Sequence, residues 1–111
     1  MGDRGQVKVI GHNGKSVYLY THWKASSLVE TVREALDSQA GRNRWDDVEY
    51  LTRIIFDYMT GLQREETGYG IGTTAHGDVW RIVEVNVEKQ TVTIFDDGEF
   101  IGFYSFKNFV R

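Results

Sequence analysis

Apolar positions alternate with polar ones near the start of this 111-residue chain, recur at helical spacing in its middle, and alternate again towards its end. Gln6 to His12 and Lys15 to His22 are rich in valine and tyrosine and are separated by Asn13-Gly14, the strongest short hairpin signal. A type I′ turn there pairs Ile10 with Val17 and Lys8 with Leu19 on one side, and Val9 with Tyr18 and Val7 with Tyr20 on the other. Both faces of the expected hairpin are apolar. Helices can cover one, so the face bearing Tyr18 and Tyr20 packs on a further layer, meets a partner or holds a ligand.

Ser27-Leu28-Val29-Glu30 is a capping-box pattern, and Leu28, Val32, Ala35 and Leu36 keep helical spacing until Gly41, which predicts a helix over about 28–40. Asp46-Asp47-Val48-Glu49 repeats the signal, with Trp45 and Tyr50 placed for a hydrophobic staple. Val48, Leu51, Ile54, Ile55, Tyr58 and Met59 then form the buried stripe of a second helix that Gly61 ends. Strand patterns follow at about Tyr69 to Thr74, Val79 to Val87, Thr91 to Phe95 and Glu99 to about Phe103, with turns at His76-Gly77-Asp78 and Asp96-Asp97-Gly98. This spacing predicts an antiparallel meander, closed by a short helical turn that Ser105 caps. The order ββααββββ is α+β: an antiparallel sheet of five to six strands with two consecutive helices on one face, in a single domain spanning 1–111.

Composition bounds the function. Hydrophobic residues at 41% and charged ones at 26% are ordinary globular usage. Three Trp, six Tyr and six Phe are many for the length, and they must fill the core, line a pocket or sit at an interface. The net charge of −3, without a basic block, gives no reason to expect nucleic acid as a partner. Absence of cysteine excludes disulfides, zinc-thiolate sites and cysteine nucleophiles. No apolar run approaches the roughly 20 residues of a membrane span, and Met1-Gly2-Asp3-Arg4 does not open a signal peptide. A soluble, cytoplasmic protein with no membrane partner is expected.

Two stretches carry candidate chemistry. His22-Trp23-Lys24-Ala25-Ser26-Ser27 runs from a strand into a helix N-terminus, where free N–H groups, Lys24 and the Ser26 hydroxyl suit an anion and Trp23 can stack on a ring. The structural alternative is that Ser27 and Glu30 satisfy the cap while Trp23 packs in the core. Further on, Gly68, Gly70 and Gly72 alternate, so on a strand they share a face and leave a smooth trough beside Tyr69 and Ile71. A flat ligand fits such a trough, and so does Trp80 or a helix. The pattern is neither a dinucleotide fingerprint, which needs a helix directly after it, nor a P-loop.

The histidines do not assemble a metal site. His12 and His22 fall at opposite ends of the hairpin, about 30 Å apart at roughly 3.3 Å per residue, and His22 with His76 and Asp78 lacks the spacing of a metal motif. No metal or cofactor is expected. Asp96-Asp97-Gly98 is read as a turn in preference to a catalytic pair. The site expected from these residues comprises His22, Trp23, Lys24, Ser26, Tyr69, Gly70 and His76. It would recognise a small anionic, ring-containing ligand such as a nucleotide, without catalysis. Two alternatives stand beside it: a protein-interaction or inhibitor module, or homo-oligomer, using Tyr18 and Tyr20, and a small hydrolase with His22 or His76 as general base and Lys24 or Arg81 as anion clamp.

Gly2-Asp3-Arg4, Val17-Tyr18-Leu19-Tyr20-Thr21-His22-Trp23, Arg44-Trp45-Asp46-Asp47, Tyr50-Leu51-Thr52-Arg53-Ile54-Ile55-Phe56 and Glu66-Thr67-Gly68-Tyr69-Gly70-Ile71 together resemble a family of small uncharacterised proteins of bacteria, actinobacteria among them, and their phages. Members often carry Gly or Asp-Gly after the Trp, where this chain has Lys24-Ala25, so the resemblance implies no shared role for Lys24. In a phage setting it implies an action on host defence, by holding a signalling nucleotide or binding a protein.

Overall fold

The computed structural model describes residues 2–61, 63–65 and 67–111. Strands β1 (Gly5–Ile10) and β2 (Ser16–Thr21) form the expected hairpin, in a different register. Gly11 donates to the Lys15 carbonyl and Gly14 to the Gly11 carbonyl, and Gly14 takes the left-handed conformation at φ 76°. Those bonds describe a three-residue loop with a glycine bulge, which displaces the type I′ turn. Val7 therefore pairs with Leu19, Val9 with Val17 and Lys8 with Tyr18. A one-residue slip exchanges faces. It places the valines and Leu19 together on one side and Lys8, Tyr18 and Tyr20 on the other.

The first predicted helix is divided. A single 3₁₀ turn (Ala25–Ser27) leads into α1 (Leu28–Asp37), Ser38 is extended, and α2 (Gln39–Arg42) follows. The Ser38 hydroxyl accepts from Gly41 N–H and donates to the Ala35 carbonyl, a local bonding pattern that competes with continued helix. The capping box does not form: Ser27 makes no side-chain cap, and Glu30 pairs with Arg33. Helix α3 (Val48–Thr60) ends at left-handed Gly61 as predicted, but its cap is Asp47, which accepts from Tyr50 N–H. Trp45 is drawn away from Tyr50, because its indole donates to the Leu36 carbonyl and its ring meets Phe106. The staple is therefore absent, and Tyr50 lies exposed under the Arg44 guanidinium.

Strands β3 (Tyr69–Gly72), β4 (Arg81–Asn86), β5 (Thr91–Asp96) and β6 (Glu99–Ser105) complete a six-stranded sheet in the order β3-β2-β1-β4-β5-β6. The closing turn forms as α4 (Phe106–Phe109), with Ser105 accepting from Asn108 N–H. The fold is α+β, and of the five strand pairings only β1 with β4 is parallel. Only β4 to β6 make the meander, because β3 lies beside β2 and runs in the same direction as β4. No hairpin can join two such strands, so the segment 73–80 crosses the sheet instead.

Helices α1 and α3 cover one face, where Val7, Val9, Leu19, Val83, Val85 and Val92 are fully buried against Leu28, Val32, Leu36, Leu51 and Ile55. Each such side chain contributes roughly 1.5–3 kcal/mol by leaving water. Among the described residues no helix covers the opposite face. Its residues fall into rows across the six strands: Gly70, Tyr20, Gln6, Ile82, Phe95 and Phe100 in one, and Gly72, Tyr18, Lys8, Glu84, Thr93 and Phe103 in the next. The crossing segment lies over the first row at its β2 and β1 end, where His76 stacks on Tyr20 at 4.0 Å and donates its N–H to the Gln6 side chain. Gln6 is buried beneath it.

Candidate functional site

Three residues expected at the site meet around a cleft of about 290 Å³ on the helix side of the sheet. Trp23 and Lys24 enter from the link between β2 and the 3₁₀ turn, and Tyr69 from the start of β3. The end of α3 supplies Tyr58, Met59, Thr60 and Gly61, and α1 supplies Leu28 and Thr31. Thr21 orients the entering link, since its hydroxyl accepts from both Trp23 N–H and Lys24 N–H. Trp23 stands edge-on to Tyr69 at 6.3 Å and its ring lies over Gly68, where a Cβ would come within 2.7 Å of it. That close approach is what glycine at 68 provides. The indole nevertheless remains 46% exposed, a ring fixed in place and open to solvent.

The walls of the cleft differ electrostatically. Lys24 is the cation on one side. Opposite it lies the C-terminal end of the 13-residue α3, where helix carbonyls concentrate partial negative charge and no basic side chain sits in the last turn.

Ser26 is not part of the cleft. Its N–H and hydroxyl both donate to the Asp3 carboxylate, which also accepts from the Trp80 indole at 2.7 Å. The anion expected at this helix start is thus the chain's own Asp3. Its carboxyl is held below the usual carboxylate range, first by the Ser26 hydroxyl, then by Ser26 N–H and Trp80. Arg81 joins the same cluster through a two-pronged pair with Asp96 at 2.8 and 2.9 Å, and its guanidinium lies 4.5 Å above the Trp80 ring. That pairing depresses the Asp96 carboxyl and raises the Arg81 guanidinium. Arg81 is bound internally, so it does not serve as an anion clamp.

The remaining expected residues lie on the other side of the sheet. His22 and His76 flank Tyr20, with the His22 ring 3.4 Å from its hydroxyl. Gly70 faces the open side too, and nothing stands within 4 Å of where its Cβ would be. The expected three-glycine trough is cut to Gly70 and Gly72 on the open face, because Gly68 lies outside β3 under the Trp23 ring, and Trp80 turns towards Asp3 without entering it. Asp97-Gly98 forms the expected turn, with φ of 51° and 82°. Asp78 is paired with Arg4, and among the described residues no group of three His, Asp or Glu is arranged to hold a metal.

Thr31, Tyr58 and Thr60 belong to the cleft without having been singled out from sequence. The apolar stripe of α3 assigns Tyr58 to the core, whereas it is 43% exposed and lines the cleft, so periodicity points away from its place there. The aromatic end of the open face, Phe100 and Phe103, was likewise visible only as strand residues. Among the described residues no helix is long and apolar enough to cross a membrane. Comparison with family models, with curated proteins and with solved structures finds no match, so the geometry alone carries the functional reading.

Proposed function

We propose that this protein is a non-enzymatic binding module whose cleft between Trp23, Lys24 and Tyr69 takes a small anionic, ring-containing ligand of mononucleotide size. The observation that carries the reading is the convergence of the neighbours Trp23 and Lys24 with Tyr69, distant from them in sequence, on one cleft whose principal ring packs over Gly68 and is left exposed. A volume of about 290 Å³ lies just below the ~300–1,000 Å³ range of ligand pockets, which suits one ring with its substituents better than a dinucleotide. Trp23 and Tyr69 provide faces and edges for the ring. Lys24 meets the anionic group, and the carbonyl end of α3 suits an exocyclic amino group. His76 lies across the sheet, and His22 meets the Trp23 ring edge-on at 6.0 Å without lining the cleft, which favours holding over turnover. In a phage setting such a module would sequester a host defence signal.

Thermal unfolding in the presence of AMP, GMP, CMP and UMP tests the proposal. A ligand at 100 times its Kd stabilises by about 2.7 kcal/mol, so the midpoint rises with concentration for at least one of them. The rise disappears in Trp23→Ala, shrinks in Lys24→Ala and persists in His76→Ala. No shift with any of the four, or a shift that Trp23→Ala leaves intact, overturns it.

A further inference from the structure

The open face of the sheet is half covered by the chain itself. Segment 73–80 lies over Tyr20 and Gln6, on the β2 and β1 side. Beyond β4 no described residue covers the face, and Phe100, edge-on to Phe95, and Phe103 stand 63% and 60% exposed. A soluble chain rarely leaves neighbouring large aromatics bare without a partner for them.

The pattern across the face is self-complementary about the boundary between β1 and β4. Lys8 and Glu84 sit on either side of that boundary, 4.0 Å apart and about 30% exposed. A two-fold axis along it lays each copy's β1 over the other's β4, so Lys8 of one copy faces Glu84 of the next and the reverse. The same operation carries one copy's segment 73–80 onto the other's Phe95 and Ile82 and sets Phe100 opposite Gly70. It also sets Phe103 opposite Gly72, where a Cβ would meet only the Thr74 nitrogen at 4.0 Å. Bulk at the β6 edge thereby meets space at the β3 edge. Six strands about 4.8 Å apart and roughly 20 Å long present on the order of 600 Å² in projection, and side-chain relief brings this towards the ~800 Å² that each partner buries in a standard interface.

Edge-to-edge pairing through β6 does not compete well. The strand carries a bulge between its pairings with Ile94 and Phe95 and then runs directly into α4, which leaves little regular edge. We propose that the occupant of the open face is a second copy of this chain, packed sheet on sheet about a two-fold axis between β1 and β4. This reading is independent of the cleft, which opens on the other side of the sheet.

Size-exclusion chromatography with light scattering at about 100 µM, where a micromolar Kd gives mostly dimer, reads the assembly directly. Wild type runs at twice the monomer mass, and Phe100→Asp with Phe103→Asp runs as a folded monomer, folding being checked by circular dichroism. Lys8→Glu and Glu84→Lys each lose the dimer alone, yet form a mixed dimer when combined, because every charge across the axis is then opposite. Wild type running as a monomer overturns the proposal and leaves the face to a partner of other chemistry. A dimer that survives the double aspartate variant, or charge variants that fail to pair on mixing, overturns this arrangement.

Discussion

The two faces of one sheet come from the same six strands, yet they have been put to different use. On the helix side, Val7, Leu19, Val83 and Val85 are closed off from water and bind the sheet to α1 and α3. One residue along each strand, Lys8, Tyr20, Ile82 and Glu84 look out on the opposite side, where only segment 73–80 crosses. The covered face holds the fold together, and the cleft opens at the margin of its helices. The open face retains aromatic and charged groups that the fold does not use. The two proposals divide along the same line: a small ring for the cleft, a second copy of the chain for the open side.

This contrast predicts a graded series of stability effects. Leu19→Ala empties a fully buried position and should lower the unfolding free energy by about 3 kcal/mol in urea denaturation, within the ~2–5 kcal/mol range for such truncations. Phe103→Ala, two strands from the midline on the exposed side, should change the dilute monomer by less than about 1 kcal/mol. Equal losses at the two positions would erase the distinction between the faces.

The Arg81–Asp96 pair at the margin should rank next. Breaking a fully buried pair costs about 3–5 kcal/mol, and at 17% and 23% side-chain exposure Asp96→Asn should cost about 2 kcal/mol. Acid provides a second readout. Asp3 and Asp96 are both held below the ordinary carboxylate value, so near and below pH 4 the unfolded chain binds more protons than the folded one and stability falls with pH. Their contribution is complete above about pH 4 and disappears as pH drops through the depressed values. The thermal midpoint of Asp96→Asn should therefore fall less steeply than that of wild type across this acid range.

Two glycines two residues apart give the sharpest contrast. Gly68→Ala drives a methyl against the Trp23 ring at 2.7 Å and should cost about 1–2 kcal/mol while shifting tryptophan emission. Gly70→Ala meets nothing within 4 Å and should be close to neutral in dilute solution.

Much of the fold was legible from periodicity. Gly61, the Asp97-Gly98 turn and the Ser105 cap each depend on neighbours in sequence, and each forms as read, while the α3 stripe buries Leu51, Ile54, Ile55 and Met59 but leaves Tyr58 exposed. What failed depended on distant partners. Asn13-Gly14 marked the hairpin, but Gly14 alone took the left-handed position, and the resulting slip put Tyr18 opposite Lys8 in place of Val9. Ser27 read as a cap because nothing local showed that Asp3 would reach Ser26 first. Likewise β3 looked like the first strand of a meander, since its pairing with β2 is made across the intervening helices. The candidate site divided for the same reason. Adjacent Tyr69 and Gly70 point to opposite sides of the sheet, so only the residues on the Trp23 side remain together.

The most direct test of the central claim is an amide-correlation NMR titration of the wild-type protein with the same four nucleoside monophosphates. Shifts should concentrate on the Trp23 indole, Lys24, Thr31, Gly61 and Tyr69, saturate with concentration, and leave Gly70, His76 and Phe103 unmoved. Shifts centred on the open face, or none at millimolar ligand, would contradict it.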